Sequence, residues 1–158
     1  MAYRKKDYDA VIDSPLGRLG IEADVVLTSI DFVTAKTPRM LPRTHLARRV
    51  CAELRAYFRN PHAGFTVPVA VEGSAFQNAV WKRMRRIPSG AVQSYGDLAR
   101  QLKTAPRAVG GACRANPVPI IVPCHRVVSV SGLGGFMGAT GGRAMQIKRW
   151  LLDHERRG

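Results

Sequence analysis

The chain has 158 residues, 46% of them hydrophobic, with 25 Lys and Arg against 11 Asp and Glu, a net charge of +14. That size and hydrophobic content suit one ordinary domain or two small ones and exclude a disordered chain, while no run approaches the ~20 apolar residues that span a bilayer. The charge is uneven: residues 1–72 carry 11 basic and 8 acidic side chains, residues 73–158 carry 14 and 3, so the field that favours a polyanion, nucleic acid first, belongs to the second half.

Met1 to Asp9 is charged and lacks an apolar core, so no secretory signal is expected, and a cytoplasmic location is. Alternating segments then predict strands at Tyr8–Ile12, Leu19–Ala23 and Val26–Phe32, with a turn at Ser14-Pro15-Leu16-Gly17. A polar, proline-containing stretch from Thr34 to Pro42 leads into a helix at about 44–58. Its apolar face is Leu46, Val50, Leu54 and Phe58, with Arg48, Arg49 and Arg55 turned away. Phe65 to Val71 reads as another extended segment. Residues 1–72 are thus expected to form an N-terminal α/β domain, a small antiparallel sheet with a helix.

From Ser74 the texture changes. Ser74 and Gln77 have the spacing of a capping box, opening a helix with Phe76, Val80, Met84 and Ile87 on one face; Pro88-Ser89-Gly90 ends it. Ser94-Tyr95-Gly96-Asp97 opens a second helix, which runs to about Leu102. Pro106 opens a third, Arg107 to Ala115, and Asn116-Pro117 ends it, because the residue before proline avoids helical backbone. Two helices across a short turn predict a helix-turn-helix. Gly110 and Gly111 sit inside the third helix, where each glycine costs ~1 kcal/mol relative to alanine. Either another helix or a nucleic-acid backbone must approach closely there, and Arg107 and Arg114 favour the latter. A glycine-rich loop follows, Gly132 to Gly142, without the spacing of a phosphate-binding loop. A final helix at about 143–155 carries Ile147, Trp150, Leu151 and His154 on one face. Residues 73–158 are therefore expected to form a mostly helical C-terminal domain, winged-helix-like, within a two-domain α+β chain.

Three cysteines with no CxxC pair give neither a disulfide framework nor a zinc site. Cys51 falls on the apolar face of its helix and Cys113 among small helical residues; both read as packing. Cys124 differs. It ends the apolar run Val118-Pro119-Ile120-Ile121-Val122 in the sequence Pro123-Cys124-His125-Arg126, with a candidate base next door and basic residues around it. A thiol is a poor nucleophile at neutral pH until something takes its proton.

The run Arg107-Ala-Val-Gly-Gly-Ala-Cys-Arg-Ala-Asn-Pro-Val-Pro-Ile-Ile-Val-Pro-Cys-His-Arg-Val-Val128 closely resembles the signature of the O6-alkylguanine-DNA alkyltransferases, also called methylated-DNA–protein-cysteine methyltransferases. The likeness extends to Phe76-Gln77 and Ser94-Tyr95 upstream and to Lys148 through Glu155 downstream. The resemblance implies a DNA-repair protein that flips O6-alkylguanine, mainly O6-methylguanine with O4-methylthymine as a second lesion, out of duplex DNA. It would move the alkyl group irreversibly to its own cysteine, one turn per chain and without a cofactor or metal. Cys124 would be the acceptor, His125 its base through a water, since adjacent side chains in an extended segment point apart, Glu155 the group that orients His125, and Asn116 the tie between helix and acceptor segment. Tyr95, Pro119, Val127, Val128, Phe136 and Met137 would line the base pocket. Arg107 would fill the hole left by the flipped base. Ala108, Gly110, Gly111, Arg114 and Ala115 would meet DNA in the minor groove, with the protein a monomer able to bind cooperatively and resident on the prokaryotic nucleoid when DNA-bound. The chain departs from the pattern after the cysteine, where relatives commonly carry Tyr, a small residue and Gly against Phe136-Met137-Gly138 here, in a loop a few residues longer.

Three other classes fit parts of the pattern. A cysteine hydrolase would use the same Cys–His pair but needs oxyanion donors, and it leaves the basic half unexplained. A non-catalytic damage-sensing DNA-binding protein would lack the acceptor thiol. A helix-turn-helix regulator alone would leave Cys124, His125 and Glu155 without a task.

Overall fold

The computed structural model describes residues 6–158; Met1 to Lys5, the head of the charged N-terminus, lie outside the described residues. The described residues form two compact units, one of residues 6–59 and 63–71 and the other of residues 60–62 and 72–158.

The first unit is built on an antiparallel sheet in the order β1 (Ala10–Ser14), β2 (Gly17–Ala23), β3 (Leu27–Val33). The β1–β2 hairpin closes at Ser14↔Gly17, where Gly17 holds φ +91° and Ser14 Oγ both accepts from Leu16 N–H and donates to Gly17 O. α1 (His45–Arg59) packs on the sheet with Leu46, Val50, Cys51 and Leu54 buried. The predicted apolar face differs at one point: Tyr57 is buried, against the rings of Phe58 and Phe65, and Phe58 is half-buried. Phe65 to Val71 contributes a parallel bridge, Leu27↔Val69.

The second unit runs α2 (Ala75–Met84), β4 (Gln93–Ser94), α3 (Tyr95–Gln101), α4 (Pro106–Arg114), a single 3-10 turn (Cys124–Arg126), β5 (Val127–Val128) and α5 (Gly142–Arg157). Two capping boxes fix helix starts, Ser74 with Gln77 for α2 and Ser94 with Asp97 for α3, each cap contributing about 1 kcal/mol. β4 and β5 pair in parallel, Gln93↔Val127 and Ser94↔Val128. That short ladder matters because it carries Tyr95, the next residue after β4, alongside the segment that follows Cys124.

Three local expectations are corrected. In α2 Phe76 lies on the exposed side, and Trp81 takes the inward place, its Nε1–H donating to Ala112 O of α4 at 2.8 Å. In α5 the buried stripe is Ile147, Lys148, Leu151, Leu152 and Glu155, whereas Trp150 and His154 are half-buried and stacked on each other. Cys124 and His125 do not lie in an extended segment. Arg126 N–H donates to Pro123 O at 3.0 Å and curls the chain into the 3-10 turn.

Candidate active site

Cys124 is 4% exposed, at the wall of a cavity of about 650 Å³ within the second unit. The approach to it is strained. Ile120, buried and β-branched, holds φ +76°, a conformation costing about 1–3 kcal/mol that persists only where the surroundings enforce it. Asn116, just beyond α4, supplies part of that enforcement. Its Nδ2 donates to Val122 O at 2.8 Å and its Oδ1 accepts from Val118 N–H at 3.0 Å. The same amide acts on the Cys124 thiol in the direction that favours its thiolate.

Next to Cys124 in the chain, His125 belongs to a buried hydrogen-bonded pair. His125 Nε2 donates to Glu155 Oε2 at 2.8 Å, which fixes the tautomer and leaves Nδ1 unprotonated. Nδ1 is buried and has no hydrogen-bond partner among the described residues. Arg126 grips the same carboxylate with two hydrogen bonds, Nε to Oε1 at 2.8 Å and Nη2 to Oε2 at 2.9 Å, and donates from Nη1 to Ile87 O. Burial keeps the imidazole neutral, lowering its pKa against the opposing pull of Glu155. Burial likewise pushes the Cys124 thiol up; the Asn116 amide and the charge of Lys148 act in the other direction.

Lys148 was not singled out from the sequence. It is fully buried in α5, donating to Val127 O at 2.7 Å and Gly135 O at 2.9 Å, with its ammonium 5.8 Å from the centre of the Tyr95 ring. Desolvation brings its pKa down to about 8. The signal was present: Lys148, Leu151, Leu152 and Glu155 follow the i, i+3, i+4, i+7 rule of one helix face. Tyr95 shares one of these carbonyls, its OH donating to Gly135 O at 3.3 Å; burial raises the phenol to about 12, so it is a donor at neutral pH.

Of the residues named from sequence, Tyr95, Arg107, Gly110, Gly111, Arg114, Cys124, Phe136 and Met137 share the cavity wall. Pro119 and Val127 are buried away from it, Val128 is half-buried, and Ala108 and Ala115 lie on or beside α4 but outside the lining. Cys113, read from sequence as packing, does line it. Met137 and Gly138 both hold positive φ, +52° and +81°, in a tight turn closed by reciprocal hydrogen bonds between Phe136 and Ala139. The turn buries Phe136 and sets Met137 at the cavity rim. Gly110 and Gly111 have open space where a Cβ would stand. Packing within the protein therefore does not require glycine at either position.

Residues 75–157 match the family model described as 6-O-methylguanine DNA methyltransferase, DNA binding domain. Across nearly the whole chain it is 36% identical over 157 residues to a methylated-DNA–protein-cysteine methyltransferase of Methanosarcina acetivorans, covering 94% of this chain and 97% of that one. The chain belongs to the methylated-DNA–protein-cysteine methyltransferase family. A mouse methyltransferase of the same name is 37% identical over 172 residues, covering 92% of this chain and 80% of the relative. The fold agrees with the family. The crystal structure of the O6-methylguanine methyltransferase of Mycobacterium tuberculosis superposes with a TM-score of 0.79 at 36% identity, covering 93% of this chain and 91% of that one. A structure of OGT from the same organism in complex with DNA gives 0.78 at 37% identity, with the same coverage.

Proposed function

We propose that this family member repairs duplex DNA by moving an alkyl group from O6 of a flipped guanine to Cys124, and that the transfer consumes the protein. The observation that carries the reading is that Cys124 lines an open cavity and is followed directly in the chain by His125 of the buried His125–Glu155 pair. Attack on a small alkyl carbon is a direct displacement, which suits a soft thiolate. His125 Nδ1 takes the thiol proton through a water, and Glu155 stabilises the imidazolium that forms. The sulfur–carbon bond forms as the carbon–O6 bond breaks, and the electron pair leaves with the base. Tyr95, a neutral phenol beside Lys148, offers a proton or hydrogen bond to that developing negative charge. The product is a thioether, which water does not cleave.

The open glycine face of α4, with exposed Arg107 and Arg114 at its ends, supports α3 and α4 acting as a helix-turn-helix whose second helix enters the minor groove. Arg107 would occupy the stack in place of the extruded nucleotide, offsetting an unstacking cost of a few kcal/mol. A labelled-methyl assay with O6-methylguanine duplex tests the reading. Transfer should saturate at one methyl per chain, and Arg107→Ala should slow reaction with duplex far more than with the free alkylated base. Continued turnover, or equal slowing on both substrates, overturns it.

A further inference from the structure

Alkyl transfer uses one thiol, yet the cavity is lined by two. Cys113 sits in the last turn of α4, 9% exposed, and faces the cavity that Cys124 faces. Its own hydrogen bond goes to a third sulfur, Met84 Sδ at 3.6 Å. Burial and the charge of Cys124 push its thiol up to about 12, so it is silent while Cys124 is the thiolate. The situation reverses if Cys124 becomes a neutral sulfenic acid. The repelling charge is then gone, and Lys148, which favours the thiolate of both cysteines, acts on Cys113 alone.

We propose that Cys113 is a resolving thiol for the acceptor, closing a reversible disulfide with Cys124 when the protein meets a hydroperoxide. The inference rests on the reading of Cys124 as the reactive thiol. In the first step the Cys124 thiolate attacks one oxygen of hydrogen peroxide. The O–O bond breaks, the sulfur is oxidised to sulfenic acid, and the hydroxide released takes a proton to become water. In the second step the Cys113 sulfur, giving up its proton, attacks the sulfenic sulfur. The S–S bond forms, the S–O bond breaks, and a second water leaves. Two thiols and one peroxide thus become one disulfide and two waters, with two electrons passing from sulfur to oxygen. Two equivalents of a thiol reductant reverse the change. Without a resolving thiol, a second hydrogen peroxide oxidises the sulfenic acid to sulfinic acid, which thiol reductants do not recover. The disulfide withholds the protein from repair while it is oxidised and preserves the one sulfur it cannot replace.

Cys51 is the internal control: it is fully buried in α1 and does not line this cavity. The test treats the full chain with a small molar excess of hydrogen peroxide, blocks remaining thiols, and maps peptides by mass. Methyl acceptance from O6-methylguanine duplex is then read before oxidation, after it, and after a thiol reductant. Wild type should lose two hydrogens, yield a Cys113–Cys124 crosslinked peptide, lose acceptance, and regain most of it on reduction. Cys113→Ala and the nearly isosteric Cys113→Ser, each scaled to its own unoxidised acceptance, should recover several-fold less and accumulate Cys124 sulfinic acid. A disulfide joins Cα atoms no more than about 7 Å apart, so the crosslink also reports the approach of α4 to the acceptor turn. Absence of that crosslink within the oxidised chain, or equal recovery in wild type and both variants, overturns the proposal. If unoxidised wild type accepts no methyl group, the reading of Cys124 as acceptor fails instead, and the peptide map still reports the crosslink.

Discussion

The two units use charge in opposite ways. In the first, cations find carboxylates: Lys6 with Asp31, Arg18 and Arg39 with Asp13, Arg43 with Asp7 and Asp9, Arg49 with Glu53. In the second, only Glu72, Asp97, Asp153 and Glu155 are available; Asp97 pairs with Arg100 at the surface, and Glu155 is buried under His125 and Arg126. Arg107 and Arg114 make no ion pair among the described residues. A field that is neutralised locally stabilises a fold by little, since exposed pairs contribute about 0–1 kcal/mol. A field left open attracts a polyanion. The contrast therefore assigns DNA binding to the second unit more firmly than the net charge does.

The sharpest way to probe that contrast is at the one carboxylate the second unit holds inside. Glu155→Gln removes the carboxylate charge and leaves a single amide oxygen where His125 and Arg126 now share two. Breaking a buried pair costs about 3–5 kcal/mol, and losing the base's orientation should slow methyl transfer on the order of 10²-fold. Chemical denaturation and single-turnover rates measure the two losses. Lys148→Met comes next. The thiolate is the reactive form, so the rate rises with pH as Cys124 ionises, and the Lys148 cation favours that ionisation. Removing it should move the rising limb of the pH–rate profile to higher pH and slow transfer several-fold at pH 7. An unmoved limb would leave Lys148 a purely structural tie between Val127 and Gly135.

Salt dependence compares the units directly. Arg107→Ala and Arg114→Ala should each lower the slope of log affinity against log salt by about 0.9, while Arg39→Ala, whose partner is Asp13, should leave it unchanged. The smallest effect separates two glycines. A Cβ at Gly20 in β2 would stand 2.6 Å from the Tyr8 ring, whereas one at Gly111 meets nothing. Gly20→Ala should destabilise the protein. Gly111→Ala should stabilise it by about 0.4–1 kcal/mol, through the unfolded chain, while weakening DNA binding. A Gly111→Ala protein with unchanged affinity would contradict close approach of DNA to α4.

Much of this was legible in the sequence because the signals are local. Helix starts follow from Ser74, Ser94 and Pro106, and the hairpin follows from Ser14 to Gly17. The proposed acceptor, its proposed base and the proposed orienting Glu155 are written in a motif. What escaped depends on tertiary packing. Lys148 looks like one more surface cation until two backbone carbonyls are placed beside it. Trp81 displaces Phe76 only because Ala112 offers an acceptor. Cys113 reads as filler until the cavity opens on it. Met137 is placed at the pocket by the motif, but its left-handed backbone comes from the turn at Phe136–Ala139.

The central claim is that one of three thiols is the acceptor. Incubation with one equivalent of duplex carrying O6-methylguanine, followed by peptide mass mapping, tests it directly. The account predicts a single methyl on the peptide containing Cys124, none on those containing Cys51 or Cys113, and no adduct in Cys124→Ala. A methyl on either other cysteine, or an unmodified chain beside fully repaired DNA, would contradict it.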